Sequence, residues 1–226
     1  MITADNSHEK VDMADAKPKA ISRLSMARRK LPTQKRAKAT VERILDAAAA
    51  LIAAEGFAGI GTDAIAERAG VNIASLYQYF PNRESVLLAL YEAAANEGAH
   101  KLNTLAMKIV HDDLESVVPK ILKLLLAHYA QYAAVLLRMA NEVPEIRRVT
   151  RVVPFDTMIS STIRLYLHQH PEFRIEDTPR HLFFLENLVL GNLSRFVTDP
   201  PPNVARTDFL AHLSRIIVAY LKGELL

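Results

Sequence analysis

Apolar side chains recur at helical spacing through most of this chain. Val41, Ile44, Leu45, Ala48 and Ile52 fall at i, i+3, i+4, i+7 and i+11, one face of a single helix. Gly56 is placed to end that helix, with Phe57 folding back onto it. Thr62 offers an N-cap for a short helix through Ala69, and Gly70 closes it in a left-handed turn. A second short helix is expected over residues 73 to 79. Pro81 stops it, and Asn82 can cap a third element beginning at Arg83. Val86, Leu87, Leu90, Ala93, Ala94 and Leu102 carry that element's apolar face toward Met107, and His111-Asp112-Asp113 breaks it. Further helices are expected over residues 116 to 141, with Pro119 in the first turn, from Pro144 to about Gln169, over 178 to 197 and over 208 to 222. No strand-like alternation of convincing length and no internal repeat is present. The pattern predicts an all-α chain of about nine helices.

Composition narrows the classes of function. The chain has 226 residues, half of them hydrophobic, and contains neither Cys nor Trp. Without cysteine there are no disulfides, no thiol catalysis and no Cys-type zinc site, which suits a reducing cytoplasm. The first residues lack the apolar core of a signal peptide. The longest apolar stretch, residues 121 to 140, is broken by Lys123, His128 and Arg138, whereas a membrane span needs about 20 mostly apolar residues. A soluble, cytoplasmic protein is expected. Charge is uneven: residues 17 to 40 hold nine Lys or Arg and no acid, while the segments on either side are net negative. Residues 1 to 32 lack periodicity and read as a disordered basic arm. Such an arm beside a folded module points to a polyanion partner, or else to a solvated leader.

Residues 62 to 81, TDAIAERAGVNIASLYQYFP, follow the helix-turn-helix template. The fifth position is the small Ala66, where two helices cross. The ninth is Gly70, where a tight turn needs positive φ. Ile65, Ala69, Val71, Leu76 and Tyr79 supply the apolar positions. Packing leaves Asn72, Ser75, Gln78 and two tyrosine hydroxyls unexplained. No acid stands between Gly70 and Arg83, so nothing on this surface would repel phosphate. In this motif the second helix enters the DNA major groove.

The stretch from about Lys35 to Glu92 resembles the DNA-binding domain of the tetracycline-repressor (TetR) family of bacterial transcriptional regulators. ILDAAAALIAAEGFAGIGTDAIAERAGV and SLYQYFPNRESVLLAL carry the resemblance, which covers about a quarter of the chain. Ala74 departs from it, standing where many members have Gly. The resemblance implies residue roles. Thr62 and the N-terminus of its helix would meet a phosphate. Tyr77 would bond a phosphate through its hydroxyl. Tyr79 would either touch the backbone or be partly buried. Asn72, Ile73, Ala74, Ser75 and Gln78 would face base edges: Gln pairs bidentately with adenine, and Ile or Ala contacts a thymine methyl. Arg83 would meet a phosphate. The implied domains are an arm over 1–32, a three-helix DNA-binding domain over 33–92 and a helical ligand-binding and dimerisation domain over 93–226.

The resemblance further implies that the last two helices pair with those of a second copy. The apolar run HLFFLENLVLGNLSRFV agrees, since a helix apolar over most of its circumference must be covered on more than one side. Leu188, Val189, Gly191 and Asn192 are the interface candidates, and a helix buried within one protomer is the alternative. A pocket between the middle helices would draw on Met107, Tyr129, Tyr132 and Met139, and on Phe155, Met158, Phe184 and Asn187. These suit an apolar ligand, although each reads equally as core. Glu97-x-x-His100 is half of a di-iron motif whose second copy is missing. His168-x-His170-x-Glu172 reads as a solvated helix end. No P-loop, dinucleotide fingerprint or Ser-His-Asp arrangement appears, so neither metal nor cofactor is expected. The expected function is a non-enzymatic, homodimeric repressor that binds a palindromic DNA operator and is released by a small apolar or amphipathic effector. The alternatives are an activator or a regulator without a ligand, an all-α metalloenzyme, and a helical interaction protein that does not bind DNA.

Overall fold

The computed structural model describes residues 35–58, 60–143, 146, 154–170 and 178–224, without the side chains of 35, 140, 141, 154–159 and 178. The arm over residues 1–32 lies outside this description. Nine α-helices are present among the described residues: α1 (Lys35–Glu55), α2 (Thr62–Ala69), α3 (Ile73–Tyr79), α4 (Arg83–Ile109), α5 (Leu114–Gln131), α6 (Met139–Glu142), α7 (Pro154–Gln169), α8 (Thr178–Thr198) and α9 (Arg206–Leu221). A π-helical turn over Ala134–Arg138 leads into α6. The described residues contain no strand, and the chain is all-α.

The helix ends follow local chemistry. Gly56 leaves α1 at φ +75°, and Phe57 is buried in the core. Gly70 closes α2 at φ 61°, ψ 40°, where an L side chain would be strained. Its N–H bonds the Glu67 carbonyl, and the N–H of Val71 bonds that of Ala66, each at 3.0 Å. This double bond satisfies two carbonyls that the helix end leaves open. Asn82 and Ser85 form a reciprocal capping box at the start of α4. Asp113 caps α5 by accepting from the N–H of Ser116 at 2.8 Å.

Three sequence expectations are corrected. Thr62 does not cap α2: the N-cap is Gly61, and Thr62 is the first helical residue. Pro119 lies not in the first turn of its helix but further in, because α5 begins at Leu114. Its missing N–H leaves the Glu115 carbonyl without the usual intrahelical donor. The helix expected over 116 to 141 breaks at Tyr132 and continues as a π-turn and α6, where neither Gly nor Pro marks the site. The segment expected to open at Pro144 is helical as α7 from Pro154; residues 144, 145 and 147–153 lie outside the described part.

One hydrophobic core runs through these elements. Its axis is α4, which packs on α1, α5 and α7, while α5 in turn carries α8 and α9. At 27 residues, α4 continues without a break through residue 92, so the two halves of the chain share one stiff rod about 40 Å long. Seven consecutive residues of α4, Ser85 to Tyr91, are buried. That is unusual for a helix packed on one side, and it follows from the position of α4 between α1 and the later helices.

Candidate nucleic-acid interface

The interface is built on α2 and α3, held at a fixed crossing by the turn at Gly70. Ile65, Ala66 and Ala69 from α2 and Leu76 from α3 are buried, and Phe80 after α3 is fully buried. This anchors one side of α3 in the core, beside α2. The opposite side is free: Ala74, Tyr77 and Gln78, at i, i+3 and i+4, are exposed and share one face. Neither an acid nor a base occurs in α3. The surface is therefore neutral, rich in hydrogen-bonding groups and rigidly mounted.

The other sequence-predicted residues divide. Asn72 is exposed, but it is also the N-cap of α3, its Oδ1 accepting from the N–H of Ala74 at 2.8 Å. This leaves its amide donors for a partner. Ser75 is half-buried. Ile73 and Tyr79 are half-buried and pack in part against the core, so of the two readings of Tyr79 the structure favours partial burial. Thr62 and Tyr77 are joined by a hydrogen bond between their hydroxyls, 3.0 Å long, across the α2–α3 angle. Arg83 turns inward: its Nη2 donates to the carbonyl of Phe57, and its Nε is buried without a partner among the described residues. Sequence reasoning placed this guanidinium on the DNA-facing surface, whereas here it ties α4 to the connection after α1.

Arg43 was missed. Its guanidinium reaches the α2–α3 turn, 4.0 Å from the position a Cβ would take at Gly70. On the α1 pattern it reads as one more solvated cation, and only the packing of α1 on α2 brings it beside the motif. Arg36 and Lys38, at the start of α1, are exposed.

Among the described residues, the candidates for a ligand pocket differ widely in burial. Met107 is 66% and Phe184 55% exposed, while Tyr129 and Met139 are buried. Asn187 is exposed and donates to the carbonyl of Phe183 at 2.7 Å. Tyr132 donates to the carboxylate of Glu97, which pushes its phenol up to about 12. Glu97 also pairs with Lys101 at 2.6 Å, and these bonds hold its carboxyl below the ordinary value. The side chains of Phe155 and Met158 lie outside the described residues. What the fold does form is a small apolar cleft between α5, α7, α8 and α9, about 70 Å³ in volume, walled by Leu122, Leu125, Ile163, Tyr166, Leu185 and Val189. Of these residues the sequence singled out only Val189, as an interface candidate.

Of the interface candidates, Val189 faces the protomer's own core, Leu188 is half-buried, and Gly191 and Asn192 are exposed. Leu182, Leu185, Val189 and Leu193 form the buried face of α8, while Phe183 (62% exposed) and Phe184 point outward. Among the described residues, no three His, Asp or Glu gather as metal ligands. His170 bonds the Val110 carbonyl at 2.9 Å and stacks on Tyr166, and His100 is exposed. No described helix is long and apolar enough to cross a membrane.

Residues 44–90 match the family model of bacterial regulatory proteins of the tetR family. No curated protein matches the chain in sequence. Solved structures share its fold. A TetR-family transcriptional regulator of Mesorhizobium loti superposes with a TM-score of 0.68 at 16% identity, over 84% of this chain and 98% of its own. The fatty acid degradation regulator FadR of Bacillus halodurans gives 0.60 at 21% identity, over 82% of this chain and 96% of its own. Thermus thermophilus FadR, a TetR-family repressor solved with lauroyl-CoA, gives 0.59 at 21% identity, over 82% and 95%. Residues 44–90, which hold the helix-turn-helix, are thus similar to the tetR-family model, and the described helices share the fold of these solved regulators.

Proposed function

We propose that this chain is a cytoplasmic, non-enzymatic transcriptional repressor that binds a palindromic operator as a homodimer and is released by a small apolar or amphipathic effector. The observation that carries the reading is the free face of α3. Ala74, Tyr77 and Gln78 are exposed, uncharged and held by a buried opposite side. Gln78, Ser75 and the amide of Asn72 read base edges; Tyr77, Thr62 and Arg43 position the helix on phosphates. Two copies in a dimer would set their recognition helices about 34–36 Å apart, one turn of duplex.

The outward apolar face of α8 supports dimer formation. Phe183 and Phe184 remain exposed after the opposite face has met the core. Effector release is supported by the apolar cleft behind α8 and by the lauroyl-CoA held by the Thermus protein. A ligand that widened the cleft would move α7 and α8 against α4, the rod that also carries the DNA-binding half. Such a ligand shifts the equilibrium only by its difference in affinity for the two states. The basic arm, with Arg28, Arg29 and Lys30, would lie along flanking phosphates. A gel shift of the full chain on the DNA upstream of its own gene tests the reading: a discrete complex competed by specific but not by unrelated duplex is expected. Absence of sequence-specific binding in the presence and absence of cell extract would reject it.

A further inference from the structure

A second concavity lies on the outer side of α5 and α9, away from the apolar cleft and from the exposed Phe183 and Phe184. It is a groove of about 880 Å³. Lys222 at the end of α9 pairs with Glu115 at the start of α5, so the two helices run antiparallel. Pro119, Leu210, Val218 and Ala219 supply an apolar floor. The charges on its walls are sorted. Glu115 and Glu224 gather at the Lys222 end. Lys123, Arg215 and Arg206 line the middle and the opposite end, and none of the three has an ion-pair or hydrogen-bond partner among the described residues. Between them stands Ser214, only 7% exposed, its hydroxyl buried at the groove without a partner among the described residues. A buried hydroxyl left unbonded is costly, and here it lies beside three cations that lack acids.

We infer that this groove binds a small anionic amphiphile, with its carboxylate or similar head held by Lys123, Arg206, Arg215 and the Ser214 hydroxyl and its apolar body on Leu210, Val218 and Ala219. The size agrees with a small molecule, since such sites occupy roughly 300–1,000 Å³. A protein partner would seek the large exposed apolar anchors Phe183, Phe184 and Ile216, and none of these lines the groove. A neutral apolar ligand would leave the cations and Ser214 unanswered. The inner cleft of the proposed effector is a separate site on the opposite side of α5, walled by apolar groups. The inference does not depend on DNA binding.

The test is direct titration of the full-length protein with a dansyl-labelled undecanoate, followed by fluorescence. Saturable binding is expected, displaced by decanoate and not by decanol. The double variant Lys123→Glu/Arg206→Glu changes two exposed side chains and should keep the fold, while weakening the probe by about tenfold or more through lost charge-assisted contacts. Ser214→Ala should weaken the probe without lowering the melting temperature, since it removes an unbonded hydroxyl. Filling the inner cleft with Ile163→Phe should leave probe binding unchanged. Three outcomes overturn the inference: no saturable binding; binding lost in Ile163→Phe but kept in the double charge variant; or a native dimer that the double charge variant converts to monomer, which would assign the groove to a second copy of the chain.

Discussion

The hydroxyl of Thr62, in the first turn of α2, and that of Tyr77, on α3, lie 3.0 Å apart. Each fixes the other at the angle between the two helices, and Tyr77 is still 40% exposed. A phosphate approaching this angle would meet two pre-aligned hydroxyls. Tyr77→Phe should therefore weaken binding to every duplex by about 0.5–1.5 kcal/mol, the net contribution of one hydrogen bond. Thr62→Val should do likewise, and the double variant should lose less than the sum, because the pair shares a bond. Fluorescence anisotropy on operator and unrelated duplex checks this. A loss confined to one operator base would mean that Tyr77 reads sequence.

Gln78 is exposed beside Tyr77 and has no hydrogen-bond partner among the described residues. Gln78→Ala should leave folding intact and relax the preferred sequence at one position per half-site, where a bidentate contact is worth about 1–3 kcal/mol against the wrong base. Binding-site selection on the variant is the measurement. An unchanged consensus would remove Gln78 from base readout.

Arg83 donates to the Phe57 carbonyl from a half-buried position. Arg83→Met should destabilise the fold by roughly 1–3 kcal/mol, because the Phe57 carbonyl loses its donor. The salt dependence of DNA binding should hardly change. If stability is instead unaltered and the slope of log affinity against log salt becomes shallower by about 0.9 per subunit, the side chain meets a phosphate in the complex.

The two faces of α8 separate dimerisation from folding. Phe184→Glu places a charge on the exposed face and should yield a folded monomer by light scattering and circular dichroism. Val189→Arg places one in the protomer core and should unfold the chain, since an unpaired buried charge costs several kcal/mol. A folded dimer in Phe184→Glu would take this face out of the interface.

His128 is buried between α4 and α5, its Nε2–H donating to the Ala94 carbonyl at 3.0 Å. Burial pushes its pKa below the ordinary 6.5. Glu97, Lys101 and Tyr132 also face it, the tyrosine ring at 4.9 Å. A lowered histidine pKa means that the unfolded chain binds the proton more tightly. The contribution of His128 is thus complete above about 6.5 and is lost as pH falls from there toward the folded value. Glu97, whose carboxyl is also lowered, acts in a separate window below about 4.5. Melting temperatures should drop between neutral pH and pH about 5.5 in the native protein, with a smaller drop in His128→Gln. Equal drops in both would assign the effect elsewhere.

Local rules carry far along this chain. The positive φ of Gly70, the cap at Asn82, the burial of Phe57 and Leu76, the end of α2 and the bounds of α3 are all legible in the residues, because each depends on neighbours within a few positions. The free face of α3 is legible too, since polar groups at helical spacing beside a buried Leu have one direction left to point. The sequence by itself thus determined the all-α class and the helix-turn-helix. The inward turn of Arg83 was decided by a carbonyl 26 residues away, and the place of Arg43 by the packing of α1 on α2. The same holds in the C-terminal half. Apolar residues there share one composition whether they fill a core, wall a cleft or face a second subunit, so Val189 and Phe184 look alike until the helix is docked. Which face of α8 meets α5, and where α9 leaves a groove with three cations unpaired among the described residues, are long-range choices. Only the tertiary structure makes them, because burial of an amphipathic helix rewards a face and does not specify which neighbour covers it.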